Sequence, residues 1–183
     1  MNRPCKVCGT FYPADQNVLR QGINDLLERV PHTKVEGSIA GIIVPHAGLA
    51  YSGATAAFAY SMLRNSSFSR VVIVSPSHKE YFNGISVFSG SSYSTPLGRV
   101  EVDQVFRDRI LSQSSRIEAS DAGHGEEHAI EVQLPFLQTV LNAFTIVPIV
   151  MGDQRREYCY ELGEALASTV DHKSTLLVAS TDL

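Results

Sequence analysis

This 183-residue chain has no tryptophan, only three cysteines and no long hydrophobic run. No apolar stretch approaches the ~20 residues that a transmembrane helix needs. The first residues, Met1 to Cys5, lack the apolar region of a secretory signal peptide. These absences argue against a membrane-spanning or secreted protein, and they predict a cytoplasmic protein without a membrane partner.

Blocks of like charge are also missing. Lys and Arg total 15 against 19 Asp and Glu, which gives a formal charge of −4 at pH 7. A net-acidic chain without a basic cluster is a poor ligand for a nucleic-acid backbone or an anionic membrane. Hydrophobic residues make up 44 % of the chain, which is enough to build the core of a globular protein.

The cysteines do not form a disulfide framework. Cys5 and Cys8 could supply only half of the ligands of a zinc site, and no second cysteine pair completes it. A redox function would require a strand-to-helix setting that the first ten residues do not offer. A pair without function is the simpler interpretation. Cys159 falls in a helical pattern with Leu162 and Leu166, which predicts a small core residue.

Short apolar runs alternate with segments of helical period, and this alternation is typical of an α/β protein. The clearest strand is Val71–Val74, apolar at every position. Asp15 and Asp103 are suited to cap helices, and Pro135 predicts a kink or a new helical start. Residues 112–125 are polar and predict a surface loop. Predicted strands are 39–44, 71–74, 85–88, 144–150 and 175–179; predicted helices begin near 15, 52, 103, 126 and 155. The fold class is therefore α/β, a mostly parallel sheet with helices on both faces.

Polar residues follow several predicted strands, where open α/β sheets bind ligands. His46 and His78 each stand in a proline-containing turn after a strand, and Asp153 and Asp182 follow two others. A neutral imidazole is a good ligand for Fe, Zn or Cu. We therefore expect a shared metal site at His46 and His78. The alternative is that each ring only bonds a loop carbonyl.

A second group of histidines lies at 124–128. His124 and His128 are four apart, but the sequence between them is not the His-Glu-x-x-His zinc signature, and flanking glycines disfavour a helix at His124. We interpret His124 as a loop residue. For His128 and Glu131 a functional site and a buried polar network are both open. His32 and His172 lie in polar stretches and are predicted to be solvated.

The order and spacing of several short motifs resemble those of the Memo family, also called AmmeMemoRadiSam system protein B. The matching segments are Gly9-Thr10-Phe11-Tyr12-Pro13, Pro45-His46-Ala47-Gly48, Tyr51-Ser52-Gly53, Pro76-Ser77-His78, Thr95-Pro96-Leu97-Gly98, Glu127-His128-Ala129-Ile130-Glu131-Val132-Gln133-Leu134-Pro135 and Ser180-Thr181-Asp182-Leu183.

This resemblance implies a fold similar to the class III extradiol dioxygenases, which are non-heme Fe(II) enzymes. It implies that His46 and His78 are metal ligands and that His128 and Asp182 point toward the same pocket as catalytic groups. Iron and copper are both associated with the family. Tyr51, Ser77 and Glu131 are expected to line the pocket. Family association also suggests AMMECR-like and radical SAM proteins as partners.

Two departures from the family pattern matter. Leu49 and Ala50 stand where many relatives place an aromatic residue. Relatives also continue past the Ser-x-Asp motif with a histidine and a later ligand cysteine, so residues 1–183 are expected to form a single Memo-like α/β domain lacking the family's C-terminal part. We expect weak metal binding and self-association from such a chain.

The leading hypothesis is a Memo-family protein with a metal-capable pocket and oxygen or redox chemistry on a small molecule, using Fe(II), Cu or Zn. One alternative is a non-catalytic signalling module that binds a peptide or small ligand. Another is a metal-dependent hydrolase.

Overall fold

The computed structural model describes residues 1–31 and 35–182, which leaves the predictions for His32 and Leu183 outside the described residues. The strands are β1 (Asn2–Arg3), β2 (Gly41–Val44), β3 (Arg70–Pro76), β4 (Ile85–Phe88), β5 (Ser92–Thr95), β6 (Gly98–Glu101), β7 (Ile117–Ser120), β8 (Thr145–Met151) and β9 (Thr175–Ser180). The helices are α1 (Gln16–Glu28), α2 (Leu49–Ser61), α3 (Gln104–Leu111), α4 (Leu134–Val140) and α5 (Arg156–Thr169), with a 3₁₀ turn at Glu131–Gln133 before α4. No helix among them is long and apolar enough to cross a bilayer.

Six strands form the central sheet in the order β2-β9-β3-β8-β4-β7. The first four are parallel to one another, β4 is antiparallel to β8, and β7 is parallel to β4. The predicted, mostly parallel α/β sheet is confirmed. Consequently the carboxyl ends of β2, β9, β3 and β8 all lie at one edge of the sheet.

Helices cover both faces of this sheet, as predicted. On β3, Val71 and Ile73 pack into the core that α1, α2 and α4 share, whereas Val72 packs with α3 and α5. Alternate residues of a strand point to opposite faces, so a strand that is apolar at every position is buried on both.

The helix starts follow the sequence signals. The side chain of Asp15 accepts hydrogen bonds from the main-chain N–H groups of Asn17 and Val18, and Asp103 accepts one from Phe106. Pro135 lies in the first turn of α4, just after the 3₁₀ turn. Proline has no N–H to donate, which costs nothing in a first turn, so the predicted new helical start is confirmed.

Four local predictions were wrong. The helix predicted to begin near 126 starts only at the 3₁₀ turn Glu131–Gln133, after an irregular segment. The expected surface loop at 112–125 contains β7, a polar edge strand with Ile117 buried while Glu118 and Ala119 are exposed. Cys159 is exposed, because the buried face of α5 runs through Tyr158 and Leu162 instead. Cys5 and Cys8 form a disulfide directly after β1, where the sequence suggested no preceding element.

A smaller sheet in the order β1-β5-β6 holds the first residues of the chain in place. β5 and β6 form a hairpin around the Thr95–Gly98 turn, with Gly98 at φ 126°, where L side chains are rarely found. β1 adds to the other side of β5. The sheet thereby brings Arg3 next to residues far along the chain.

The buried carboxylate of Glu131 anchors this N-terminal segment. It accepts hydrogen bonds from Arg3 Nη1 and Tyr12 Oη, both at 2.6 Å, and from the main-chain N–H groups of Lys6 (2.9 Å) and Val7 (3.0 Å). Glu131 is fully buried and Arg3 is 4 % exposed. A buried charge pair of this kind is strongly destabilising when one partner is removed.

Replacing Arg3 with Met should lower the free energy of unfolding by about 3 kcal/mol, because the Glu131 charge would stay buried without its cation. Arg99 is a matched control: it is 59 % exposed and pairs with Glu101. The Arg99→Met change should cost less than ~1 kcal/mol. Urea unfolding of both variants tests this, and equal losses would contradict the assignment.

His124 lies in a loop, as predicted, but its ring is buried in the core rather than at the surface. Its Nε2 faces the carbonyl of Ser86 at 3.3 Å, so this nitrogen carries the proton, and Nδ1 accepts from the Tyr93 hydroxyl at 2.7 Å. The ring is 1 % exposed. Burial lowers the pKa of His124 to about 4.

This lowered pKa predicts an acid-sensitive contribution to stability. Between pH 6.5 and about 4, His124 is protonated in the unfolded chain but stays neutral in the folded chain. The free energy of unfolding therefore falls as the pH falls, by up to ~3 kcal/mol. The free energy of unfolding should be measured for wild type and His124→Gln from pH 8 to pH 4. The stability advantage of the wild type over the variant should shrink as the pH falls. His172 is exposed, as predicted, and His172→Gln is the control for a histidine substitution at the surface.

Candidate metal centre

Three histidines from separate loops meet at one edge of the central sheet. One ring nitrogen from each of His46, His78 and His128 lies within 4.8 Å of the others. The ring centroids are 4.9 Å apart for His46 and His78, 5.5 Å for His46 and His128, and 4.9 Å for His78 and His128. The structure thus brings together the two strand-end histidines and adds a third.

Strand order explains why these residues meet. His46 follows β2 and His78 follows β3, and β9 lies between these two strands and is parallel to both. The end of β9 supplies Ser180, paired with Val44, and then Asp182. His128 comes from the irregular segment ahead of the 3₁₀ turn, whose side chains reach over the same edge.

His46 is held from two directions. Its Nδ1 lies 3.1 Å from Ser180 Oγ, and its main-chain N–H donates to Asp182 Oδ1 at 3.1 Å. Its Nε2 lies 3.3 Å from Asp182 Oδ2, but no described residue offers this buried nitrogen an aligned hydrogen bond. Burial lowers the pKa of His46, and the Asp182 carboxylate opposes this only in part. The ring is therefore neutral at pH 7, the form that binds metals.

Glu127 is the buried carboxylate of this site. It accepts hydrogen bonds from His78 Nδ1 (2.9 Å) and from the main-chain N–H groups of His78, His128 and Ala129. Burial acts to raise the pKa of Glu127, but the hydrogen bonds from His78 and Ala129 outweigh it and lower the pKa. An ionised carboxylate can only accept, so His78 Nδ1 carries a proton, and in the neutral form of the ring the lone pair is on Nε2.

His128 completes the group. Its ring stacks on His78 with an interplanar angle of 28°, and Phe11 packs against it at 4.7 Å. Its Nδ1 lies 3.2 Å from Glu127 Oε1. Burial lowers the pKa of His128 despite that carboxylate, so this ring is also neutral near pH 7.

The family model of Memo-like proteins matches residues 3–183 of the chain. The chain belongs to the Memo-like protein family. MEMO1 family proteins of Thermoplasma volcanium, Nitrosopumilus maritimus and Methanobrevibacter smithii are 37 %, 34 % and 38 % identical to it. Each match covers all of this chain and 66 %, 68 % and 69 % of the relative, so the chain spans about two thirds of their length.

The other predicted site residues of this Memo-like chain lie in different settings. Asp182 contacts His46 and is 57 % exposed. Ser77 adjoins His78 and donates to the main-chain carbonyl of Glu80. Tyr51 is 88 % exposed on α2. The carboxylate of Glu131 accepts hydrogen bonds from the N-terminal segment, which agrees with the buried polar network, one of the two alternatives left open for this residue.

Two strand-end or motif residues are not part of the three-histidine group. Asp153 bonds to the main chain and guanidinium of Arg155. His124 bonds to Tyr93 in the core, which agrees with the interpretation that it does not form an i, i+4 ligand pair with His128. Sequence reasoning also missed Glu127, although its place beside His128 in the Glu-His motif was the available signal.

The donor set fits a first-row transition metal ion. Three imidazoles suit Zn, Cu or Fe, and three protein ligands leave coordination positions open, as in catalytic sites. The Nδ1 atoms of His46 and His78 face Ser180 and Glu127, which is the arrangement that orients metal-binding histidines. The Memo-like chain therefore has a group of residues that can hold a metal ion.

Replacing Glu127 with Gln should weaken Zn(II) binding by 10- to 100-fold, because His78 and His128 would lose the carboxylate that orients them. The neighbouring Glu126 is the matched control, since it is 70 % exposed and pairs with Lys6. Competition with a chromophoric chelator measures both affinities. A Glu126→Gln variant as weak as Glu127→Gln would contradict the role of Glu127.

Proposed function

We propose that this protein is a metal-dependent enzyme of the Memo-like family that carries out oxygen or redox chemistry on a small molecule. The observation that supports this is the meeting of three histidine nitrogens within 4.8 Å at the edge of an α/β sheet. In this proposal His46, His78 and His128 hold one ion of Fe(II), Cu or Zn. When bound, the ion supplies Lewis-acid or redox chemistry.

The place of His128 changes the role that the resemblance suggested for it. Its ring stacks directly on His78 and lies 5.5 Å from His46, so we assign it as the third ligand rather than as a separate proton carrier. Two histidines alone would bind an ion weakly. Three give the ligand count of known catalytic zinc sites.

Asp182 is then the group placed to move a proton. It is 57 % exposed, and its Oδ2 lies 3.3 Å from His46 Nε2. A carboxylate that reaches both the solvent and the metal-binding group can take a proton from a ligand that enters from outside. Its other oxygen accepts the His46 main-chain N–H, which fixes the direction of the side chain.

A small cavity adjoins the group. It measures about 210 Å³ and is lined by Ser77, His78, Lys79, Glu80, Tyr81 and Gly152. This volume lies below the range typical of drug-sized ligands, which favours a small substrate over a peptide. Lys79 and Glu80 give the lining one charge of each sign, so the lining itself favours neither an anionic nor a cationic substrate.

The metal assignment is tested by histidine substitution. Protein stripped with a chelator and titrated with Zn(II), Cu(II) or anaerobic Fe(II) should bind one ion. His46→Ala, His78→Ala and His128→Ala should each weaken binding by at least tenfold, because each removes one of three ligands. His172→Ala is the control, since His172 is exposed and outside the group. Unchanged affinity in all three site variants would refute the centre.

The reaction class is tested separately on the loaded protein. Oxygen uptake with catechol-type substrates under Fe(II) or Cu(II), abolished by His78→Ala, is the expected result. Ester or amide hydrolysis with Zn(II) and no oxygen uptake would replace this proposal with the hydrolase alternative. Ligand binding without turnover under any metal would replace it with the non-catalytic binding module.

A further inference from the structure

A chain of four buried polar side chains leads from the interior to His46. The Tyr60 hydroxyl bonds to Gln133 Oε1 at 2.8 Å, Gln133 Nε2 bonds to Ser180 Oγ at 2.8 Å, and Ser180 Oγ lies 3.1 Å from His46 Nδ1. None of the four is more than 2 % exposed. They come from α2, the 3₁₀ turn, the end of β9 and the loop after β2.

Two main-chain carbonyls set the direction of every hydrogen bond in this chain. Gln133 Nε2 also lies 3.0 Å from the carbonyl of Pro45, which can only accept, so this end of the amide is the NH₂ group. Its oxygen therefore accepts the Tyr60 proton. Ser180 Oγ lies 2.7 Å from the carbonyl of Ala129, so the single hydroxyl proton of Ser180 points there.

With its proton committed to Ala129, Ser180 Oγ has only two lone pairs left. Gln133 Nε2 donates to one of them, and the other faces His46 Nδ1. Two lone pairs at 3.1 Å would repel, so Nδ1 must carry the proton of the neutral ring.

We propose that Gln133 and Ser180 are positioning residues that fix His46 as its Nδ1–H tautomer, with the lone pair on Nε2. For metal binding this inference rests on the proposed function, because only Nε2 would then serve as the ligand atom. Tyr60 supports them by occupying the amide oxygen of Gln133. A metal-ligating histidine commonly has its other nitrogen held in this way, although a hydroxyl relay to a glutamine differs from the direct carboxylate that serves His78.

The hydrogen bonds of Ser180 and Gln133 matter because Asp182 favours the other tautomer of His46. Asp182 Oδ2 lies 3.3 Å from His46 Nε2 without forming an aligned hydrogen bond, but its negative charge favours a proton on that nitrogen. In the Nε2–H tautomer this nitrogen would have no lone pair available for a metal ion. The lone pairs of Ser180 hold the proton on the opposite nitrogen and so keep Nε2 unprotonated.

Nitrogen NMR of the metal-free protein tests the tautomer directly. Long-range ¹H–¹⁵N correlation of histidine-labelled protein at pH 8 distinguishes the protonated from the unprotonated ring nitrogen, and His46→Ala assigns the signals. Wild type should show His46 with Nδ1 protonated. A wild-type signal with Nε2 protonated would overturn the proposal, whatever the variants do.

Ser180→Ala removes the acceptor and should move His46 toward the Nε2–H tautomer, because Asp182 then has no competitor. Ser180→Thr keeps the hydroxyl and should restore the wild-type tautomer. Ser75→Ala is the matched control, since Ser75 is 2 % exposed on the nearby β3 and donates to the carbonyl of Pro76. A Ser180→Ala protein that keeps wild-type nitrogen signals would also overturn the proposal.

Zn(II) affinity gives a second readout. Ser180→Ala should lose about tenfold in affinity, the size expected for a residue that orients a ligand, while Ser180→Thr and Ser75→Ala should stay within twofold of wild type. The two proposals fail separately. If wild type binds no metal but shows the Nδ1–H tautomer, only the proposed function fails; if it binds metal with His46 as Nε2–H, only this inference fails.

Discussion

The parallel pairing of β9 with both β2 and β3 determines where the functional residues can lie. β9 runs between the two strands, with Ser180 opposite Val44 and Ala179 opposite Val74, so all three strands end within about two residues of one another. The histidines that follow β2 and β3 are then separated by the width of one strand. A different order of the same strands would leave His46 and His78 on unconnected parts of the sheet edge.

Two glutamates four residues apart divide the polar contacts of one irregular segment. Glu127 accepts hydrogen bonds from His78, in the loop after β3, and Glu131 accepts them from the N-terminal segment. Both are buried, and both are matched by several N–H donors, which is how an interior carboxylate is tolerated. Because the same short segment also carries His128, the metal centre and the chain's N-terminal anchor share one piece of backbone.

Much of the fold could be predicted from the sequence because its signals are local. Val71–Val74 is apolar throughout, Asp15 and Asp103 stand at helix starts, and the strand-end positions of His46 and His78 follow from the alternation of elements. Features that depend on distant partners could not be predicted. β7 is polar because it lies at the sheet edge, and only its pairing with β4 makes it a strand.

The candidate site, like the fold, could be predicted from the sequence only where its signals are local. The roles of Glu127 and Gln133 depend on contacts 49 and 47 residues away, with His78 and Ser180. The Glu-His motif draws attention to Glu127, but no local pattern reveals these partners. His124 and His128 are only four residues apart, yet one bonds to Tyr93 in the core and the other joins the metal group. The N-terminal anchor also has a practical consequence for protein production. Arg3 and Tyr12 donate hydrogen bonds to the buried Glu131 carboxylate. Removing the first residues of the chain would therefore disturb the segment that carries His128.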